Sequence, residues 1–329
     1  TDEHGIYHSN SGDHAVISHN ISHHNNRCGI HMNGDISMGG DGILSDASVY
    51  GNIIYENGVA GGSGINCDGV IDSRIFNNLL YENHASGISL YQIDGGAPST
   101  GNLVYNNTIV NADDARWCVN ITDDCTGNKL KNNILINRHP WRGSIVIASS
   151  ALQGFVSDYN IVTGTLSPDG DATLLSLAQW QNLGYDQHSQ LTGTLSSMFV
   201  NALSGDFHPS NASAMMIDAG TASVNPVVTT DLDGNVRPQG SGYDIGAFEW
   251  SSALSVPDGA PLSHIQLILE GSDYFLQHCN EPVTLIYYDA AGRMKKENQV
   301  NQYTERVLLE LPDKGITLIR VLNKNGTQV

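Results

Sequence analysis

Six times along the first half of the chain an Asn is followed at once by a short apolar run: Asn20-Ile21, Asn52-Ile53-Ile54-Tyr55, Asn78-Leu79-Leu80-Tyr81, Asn107-Thr108-Ile109-Val110, Asn133-Ile134-Leu135-Ile136 and Asn160-Ile161-Val162. The intervals are 32, 26, 29, 26 and 27 residues, which is a structural period. Interleaved with it runs a second phrase: Gly5-Ile6-Tyr7-His8, Gly29-Ile30-His31-Met32, Gly64-Ile65-Asn66-Cys67, Gly87-Ile88-Ser89-Leu90 and, in altered form, Cys118-Val119-Asn120-Ile121. Each run is too short for a helix and alternates apolar with polar, the period-2 mark of a strand with one face buried. Two or three strands per unit, parted by Gly, Asn and Asp, predict one coil of a solenoid.

Leucine-rich, propeller and helical repeats are excluded, because their phrases, lengths or 3.6-residue periodicity are missing. Stacked Asn positions suit a parallel β-helix: an Asn accepts the left-handed backbone at a turn, and its amide can bond to the Asn one coil above. On these Asn and Gly-Ile columns, over about residues 4 to 164, the chain resembles the right-handed parallel β-helix repeat proteins. That resemblance implies an all-β fold and a class rich in polysaccharide lyases, hydrolases and epimerases. Residue 1 already lies inside the pattern, which predicts further coils upstream.

Beyond residues 1–165 the period stops. Leu174 to Asn182 reads as a short helix ended by Gly184. The phrases Met198-Phe199-Val200-Asn201, Gly205-Asp206-Phe207-His208-Pro209, Ile217-Asp218-Ala219-Gly220, Asp231-Leu232-Asp233-Gly234-Asn235 and Asp244-Ile245-Gly246-Ala247-Phe248-Glu249 are similar to the segment that closes many secreted β-helix proteins. This assigns residues 166–250 to a closing segment, needed because an open solenoid end exposes core and strand edges. Asp231-x-Asp-Gly looks like the opening of an EF-hand loop, but Gly242 stands where the bidentate Glu belongs. The alternative is that Arg237 pairs with Asp231 or Asp244 in a buried turn.

Residues 251–329 form a third unit, with alternating runs at Ile265 to Leu269, Val283 to Tyr288, Val307 to Leu311 and Ile316 to Leu322 that predict a small antiparallel β-sandwich. The turn Asp289-Ala290-Ala291-Gly292-Arg293 and the strand entry Leu311-Pro312-Asp313-Lys314-Gly315-Ile316-Thr317 resemble the C-terminal sorting domain of type IX secretion, with Thr317 where Tyr is usual. The resemblance implies the type IX secretion machinery as a partner, and a secreted or cell-surface protein exported through the outer membrane. A generic carbohydrate-binding or immunoglobulin-like module is the other reading of this unit.

With 34 acidic against 15 basic residues the net charge is −19, which argues against a nucleic-acid partner, since neutralising phosphates takes clustered Lys and Arg. Divalent cations, or substrates bridged by them, suit this charge better. No stretch of 18 apolar residues is present, so no membrane span is expected. Five Cys without a Cys-x-x-Cys spacing exclude a zinc ribbon. Cys28 and Cys67 are expected to pack as small apolar groups, while Cys118 and Cys125 could close a disulfide loop.

With the Ile of each Gly-Ile phrase inward, the first and third residues after it point outward. The first column is then Tyr7, His31, Asn66, Ser89 and Asn120, and the second is Ser9, Asn33, Asp68, Tyr91 and Thr122, spaced ~4.8 Å per coil. Such a ledge suits a polysaccharide chain lying along the helix. Lengthened turns at Asn33 to Asp46 and Tyr91 to Thr100 raise walls beside it, and the insertion Asp113 to Trp117 adds a cation, Arg116, and a ring for stacking, Trp117. The catalytic candidates are His31, Asp68, Tyr91 and Arg116, with Asn33, Asn66, Trp117 and Asn120 as substrate-binding residues. Acids recur on the following turns, and Asp35, Asp68, Asp94, Asp123 and Asp124 are the candidate ligands of calcium. Among the many early histidines, His4 and His8 fall on inward registers, and His31 alone is read onto the ledge.

Two functions fit. A lyase would neutralise a uronate with calcium and let His31, Tyr91 or Arg116 move protons; a hydrolase would use carboxylates such as Asp35, Asp68 and Asp94. The alternative is a non-catalytic adhesin or glycan-binding stalk, which the poverty of bases favours.

Overall fold

The parallel β-helix is built from three long sheets of seven, six and seven strands, each collecting strands from successive coils. The computed structural model describes residues 3–211 and 214–250, together with six further strands between Gln266 and Asn323. The first face takes Ile6–Asn10, Ile30–Gly34, Ile65–Asp68, Ile88–Tyr91, Val119–Ile121, Ile145–Ile147 and Leu166–Ser167. Its register pairs Ile6 with Ile30, Ile30 with Ile65, Ile65 with Ile88 and Ile88 with Val119, so the Gly-Ile phrases stack coil on coil. The second face begins at Val16–Ser18 and the third at Ile21–His23, and the Asn-led apolar runs form the third. Inward residues of the first face, among them Ile30, Met32, Ile65, Ile88, Leu90 and Ile121, are fully buried.

The glycine that opens each Gly-Ile phrase is required by close approach. A Cβ on Gly29 would lie 2.8 Å from the Gly64 carbonyl oxygen, and one on Gly64 2.9 Å from that of Gly87.

At the corner between the second and third faces the Asn column forms a continuous amide ladder. Each Nδ2 donates to the Oδ1 of the next coil: Asn20 to Asn52 at 2.9 Å, Asn52 to Asn78 at 2.9 Å, Asn78 to Asn107 at 3.0 Å, Asn107 to Asn133 at 3.1 Å and Asn133 to Asn160 at 3.0 Å. One detail differs from the expectation. The left-handed residue is the one before each ladder Asn, namely His19, Gly51, Asn77, Asn106, Asn132 and Tyr159. The turn is made one position early, which leaves the Asn side chain facing inward to bond. A second ladder that the sequence reading did not isolate joins Asn25 to Asn57 at 2.8 Å and Asn57 to Asn83 at 3.0 Å.

The helix is shorter than expected, Leu177–Asn182, because Ser176 and Gln179 form a capping box that sets its start. Its Trp180 is fully buried in the core cluster beside Leu166 and donates its indole N–H to Asp186 at 2.8 Å. The ladder ends here too, since Asn160 Nδ2 donates to Asp186 at 2.9 Å. Arg237 does pin a buried turn, but its carboxylate partner is Glu249, at 2.6 Å with both side chains fully enclosed, and not Asp231 or Asp244. Asp231 and Asp244 instead accept backbone N–H groups, Asp231 from Asn235 and Glu249 and Asp244 from Asp218 and Trp250. Cys118 and Cys125 are both free and buried, so the disulfide does not form; they flank the strand Val119–Ile121 of one coil and both pack into the core as apolar groups.

Residues Thr1–Ser251 make one compact unit and Ser252–Val329 another. The second holds two three-stranded antiparallel sheets, Gln266–Glu270 with Asp273–Cys279 and Thr304–Leu309, and Met294–Val300 with Val283–Tyr288 and Leu318–Asn323. Asp273–Cys279 and Met294–Val300 are strands additional to those read from the sequence. The turn 289–293 and the strand entry 311–317, which carry the sorting-domain resemblance, lie outside the described residues.

Candidate functional site

The outward columns of the first face stand where their register puts them: Tyr7 beside His31, His31 beside Asn66, Asn66 beside Ser89 and Ser89 beside Asn120, with Asn33, Asp68 and Tyr91 aligned two residues on. Tyr91 does not stay on its own coil. Its side chain lies back across the ledge, where its hydroxyl accepts a hydrogen bond from Asn66 Nδ2 at 2.5 Å and meets His31 Nε2 at 3.2 Å. His31 Nδ1 in turn lies 3.4 Å from His4 Nε2, and His4 Nδ1 accepts the Cys28 backbone N–H at 3.2 Å.

This chain of contacts sets the tautomers. With Nδ1 of His4 accepting, the His4 proton sits on Nε2 and points at His31 Nδ1; the His31 proton then sits on Nε2 and points at the Tyr91 oxygen. That oxygen takes two donors, and its own O–H is left to turn outward. Burial, with His4 adding to it, pushes the His31 imidazole down to about 4, and burial, with the Asp68 charge adding, pushes the Tyr91 phenol well above its ordinary value. Both groups are uncharged at neutral pH.

Two clefts open beside these residues. One, of about 480 Å³, is lined by Glu3, His4, Tyr7, His31, Asn33 and Asp94. The other, of about 310 Å³, takes in Asn66, Ser89, Tyr91, Arg116, Asn120 and Asp123 among its walls. The two lengthened turns rise together as one rim, with Ile36 N–H donating to the Asp94 carbonyl at 3.2 Å and Gly96 N–H to that of Gly42 at 2.9 Å.

Of the four catalytic candidates, His31 and Tyr91 touch, and Arg116 shares a cleft with Tyr91. Asp68, the register neighbour of Tyr91, lines neither cleft. It is 1% exposed, and its carboxylate accepts the backbone N–H groups of Ile93, Asp94 and Gly95 at 2.9, 2.8 and 3.0 Å. Those bonds hold down the turn that builds the rim. Asn33, Asn66 and Asn120 line the clefts, whereas Trp117 is 3% exposed and presents no stacking face. The Gly87 N–H bond to the Trp117 carbonyl shows why: the insertion delivers Trp117 to the buried position held one coil earlier by Ser86.

The five acidic candidates do not converge. Asp35 caps a 3₁₀ turn through Ser37, Asp94 and Asp123 open on different clefts, and Asp124 is exposed on its own turn. Among the described residues the group able to hold a metal is His4, Cys28 and His31, whose ligand atoms lie within 4.8 Å of one another. His4 therefore lines the cleft and is not an inward residue; His8, aligned with Met32, is the inward one. The missed signal was positional, since His4 and Cys28 stand at the same place before Gly5-Ile6 and Gly29-Ile30.

No family model matches the chain, and no curated protein matches it. Among solved structures, the crystal structure of pectate lyase Pel9A is similar over 74% of this chain and 69% of that one, at 14% identity and a TM-score of 0.40. Nothing about the chemistry of the site follows from that likeness.

Proposed function

We propose that the first face binds a polysaccharide chain, laid along the coils across both clefts. The observation that supports it is the bridge of Tyr91 to Asn66 and His31, which orders neutral donors and acceptors on one open ledge beside the Arg116 cation. Fixed hydroxyl, amide and imidazole groups suit sugar hydroxyls, and their neutrality lets an acidic protein hold an uncharged glycan without repulsion. Retention on a panel of immobilised glycans tests the proposal. Tyr91→Phe and Arg116→Ala are expected to weaken retention about tenfold each, the effect of ~1.4 kcal/mol; retention unchanged in both variants would sink it.

The contact between His31 and Tyr91 favours a second, catalytic reading as a polysaccharide lyase. Unprotonated His31, once a substrate displaces His4 from its Nδ1, would take the C5 proton of a uronate there, Arg116 would pair with the uronate carboxylate, and the Tyr91 hydroxyl would give its proton to the departing C4 oxygen. The product carries a C4–C5 double bond, so new ultraviolet absorbance on incubation with polyuronates supports this reading, and retention without such absorbance leaves the adhesin. On the sequence resemblance alone, the proposal extends to export by type IX secretion. Removing residues 252–329 is then expected to keep the protein inside the cell.

A further inference from the structure

We propose that His4, Cys28 and His31 form a binding site for one divalent transition-metal ion of the zinc class. Ligand atoms of the three residues already lie within 4.8 Å of one another, and the two imidazoles approach to 3.4 Å between His4 Nε2 and His31 Nδ1. A tetrahedral ion with metal–nitrogen bonds near 2.0 Å and a metal–sulfur bond near 2.3 Å needs its donors about 3.3 to 3.5 Å apart. Closing the triad onto an ion therefore brings the donors at most about 1.3 Å closer together.

The donor set selects the ion. Two imidazoles and a thiolate suit borderline-soft metals, while the hard calcium ion wants oxygens. Binding releases one proton, because the Cys28 thiol must become thiolate as the metal–sulfur bond forms, and the proton leaves to solvent. His31 bound through Nδ1 keeps its Nε2–H on the Tyr91 oxygen, the outer contact that fixes a metal-bound imidazole in orientation. A bound His4 must re-form its contacts, because the metal takes the His31 Nδ1 lone pair and the Nδ1 of a bound His4 is either metal-bound or protonated, so its present bonds to Cys28 N–H and to His31 are both given up.

Three protein ligands leave a fourth position, and the triad borders the 480 Å³ cleft with Glu3 and Asp94 on its walls. Three protein ligands and one open site is the arrangement of an ion that meets solvent or substrate, not of one that only staples a fold. On later coils the place of Cys28 is taken by Ser63 and Ser86, so the site belongs to the first two coils alone.

The test uses the whole chain, reduced, stripped with chelator and titrated with cobalt(II) with no glycan present, so its outcome is independent of the polysaccharide proposal. One equivalent is expected to give tetrahedral visible bands with a thiolate-to-cobalt charge-transfer band, and zinc is expected to displace it. Cys28→Ser is expected to remove the charge-transfer band and weaken binding at least ~100-fold, the upper end of what losing even an outer-shell partner costs. His23→Gln, at the exposed neighbouring pair His23 and His24, is expected to change nothing. An octahedral spectrum without charge transfer in the folded wild type overturns the proposal, even if Cys28→Ser fails to fold. Binding undiminished in a folded Cys28→Ser also overturns it.

Discussion

The coils and the closing segment bury polar side chains by opposite means. In the coils the buried groups are neutral amides repeated in columns, as in the ladder from Asn20 to Asn160. In the closing segment they are charged and occur once, as in the fully enclosed pair of Arg237 with Glu249. The repeat explains the difference. Any residue that recurs on every coil faces its own copy ~4.8 Å away. A carboxylate or guanidinium would meet a like charge there, at about 3.5 kcal/mol per step for an effective dielectric near 20. An amide is both donor and acceptor, so it bonds to its own copy. Among the described residues charge enters the coils on their outer edge, where Glu82 meets Arg138 and Asp46 meets Arg74, and inside at Asp68, whose enclosed carboxylate does not recur from coil to coil and is held by three backbone N–H groups.

This contrast can be broken at three strengths. Arg237→Ala leaves Glu249 charged and enclosed and strips the donors from the carbonyls of Thr230, Asp244 and Gly246, so it is expected to cost roughly 3–5 kcal/mol. Urea unfolding of the 1–251 unit measures it, and a loss below about 1 kcal/mol would mean the pair is dispensable. Asn107→Ala comes next. It removes the acceptor of Asn78 N–H and the donor to the Ile75 carbonyl, both inside the helix, at an expected cost of about 3 kcal/mol. Asn20→Ala, at the partly exposed end of the same ladder with a neighbour on one side only, is expected to cost about 1 kcal/mol. Equal losses at Asn20 and Asn107 would show that the column does not act as a column.

The same contrast decides how much could be read from the chain. The period and the alternation give the coils, the ladder and the outward columns, because a repeat turns a spacing into a spatial register. His31, Asn66 and Tyr91 share a ledge for that reason. What escaped depends on where the repeat is interrupted. Asp68 stands on an outward register, but the turn after Tyr91 folds back over it and takes up its oxygens. Trp117 ends an insertion whose length alone does not say that it returns to a buried register. Arg237 chose Glu249 over two nearer acids, a choice made by the packing of a segment without periodicity. His4 meets Cys28 across 24 positions, which only the stacking of the first two coils brings together.

The smallest expected effect separates neutral from charged pairing by pH. His208 lies between two carboxylates, with Nδ1 2.7 Å from Asp206 and Nε2 2.8 Å from Asp233. Both ring nitrogens must donate, so the ring is held as imidazolium. Burial pulls its pKa down, but the bonds to Asp233 and Asp206 outweigh this and leave it above the ordinary histidine value. A folded pKa above the unfolded one means the folded state holds the proton more tightly. The stabilisation is therefore complete below about pH 6.5 and fades as pH rises through the folded value. Because the ring and both acids are about half exposed, the expected size is under ~1 kcal/mol and falls with salt. His208→Gln is expected to flatten the melting temperature between pH 6 and pH 9, while Asn20→Ala is expected to leave that slope unchanged, since an amide ladder has no proton to lose. A slope that survives in His208→Gln, or one that changes in Asn20→Ala, would erase the distinction between the charged and the neutral pairing of polar groups in this chain.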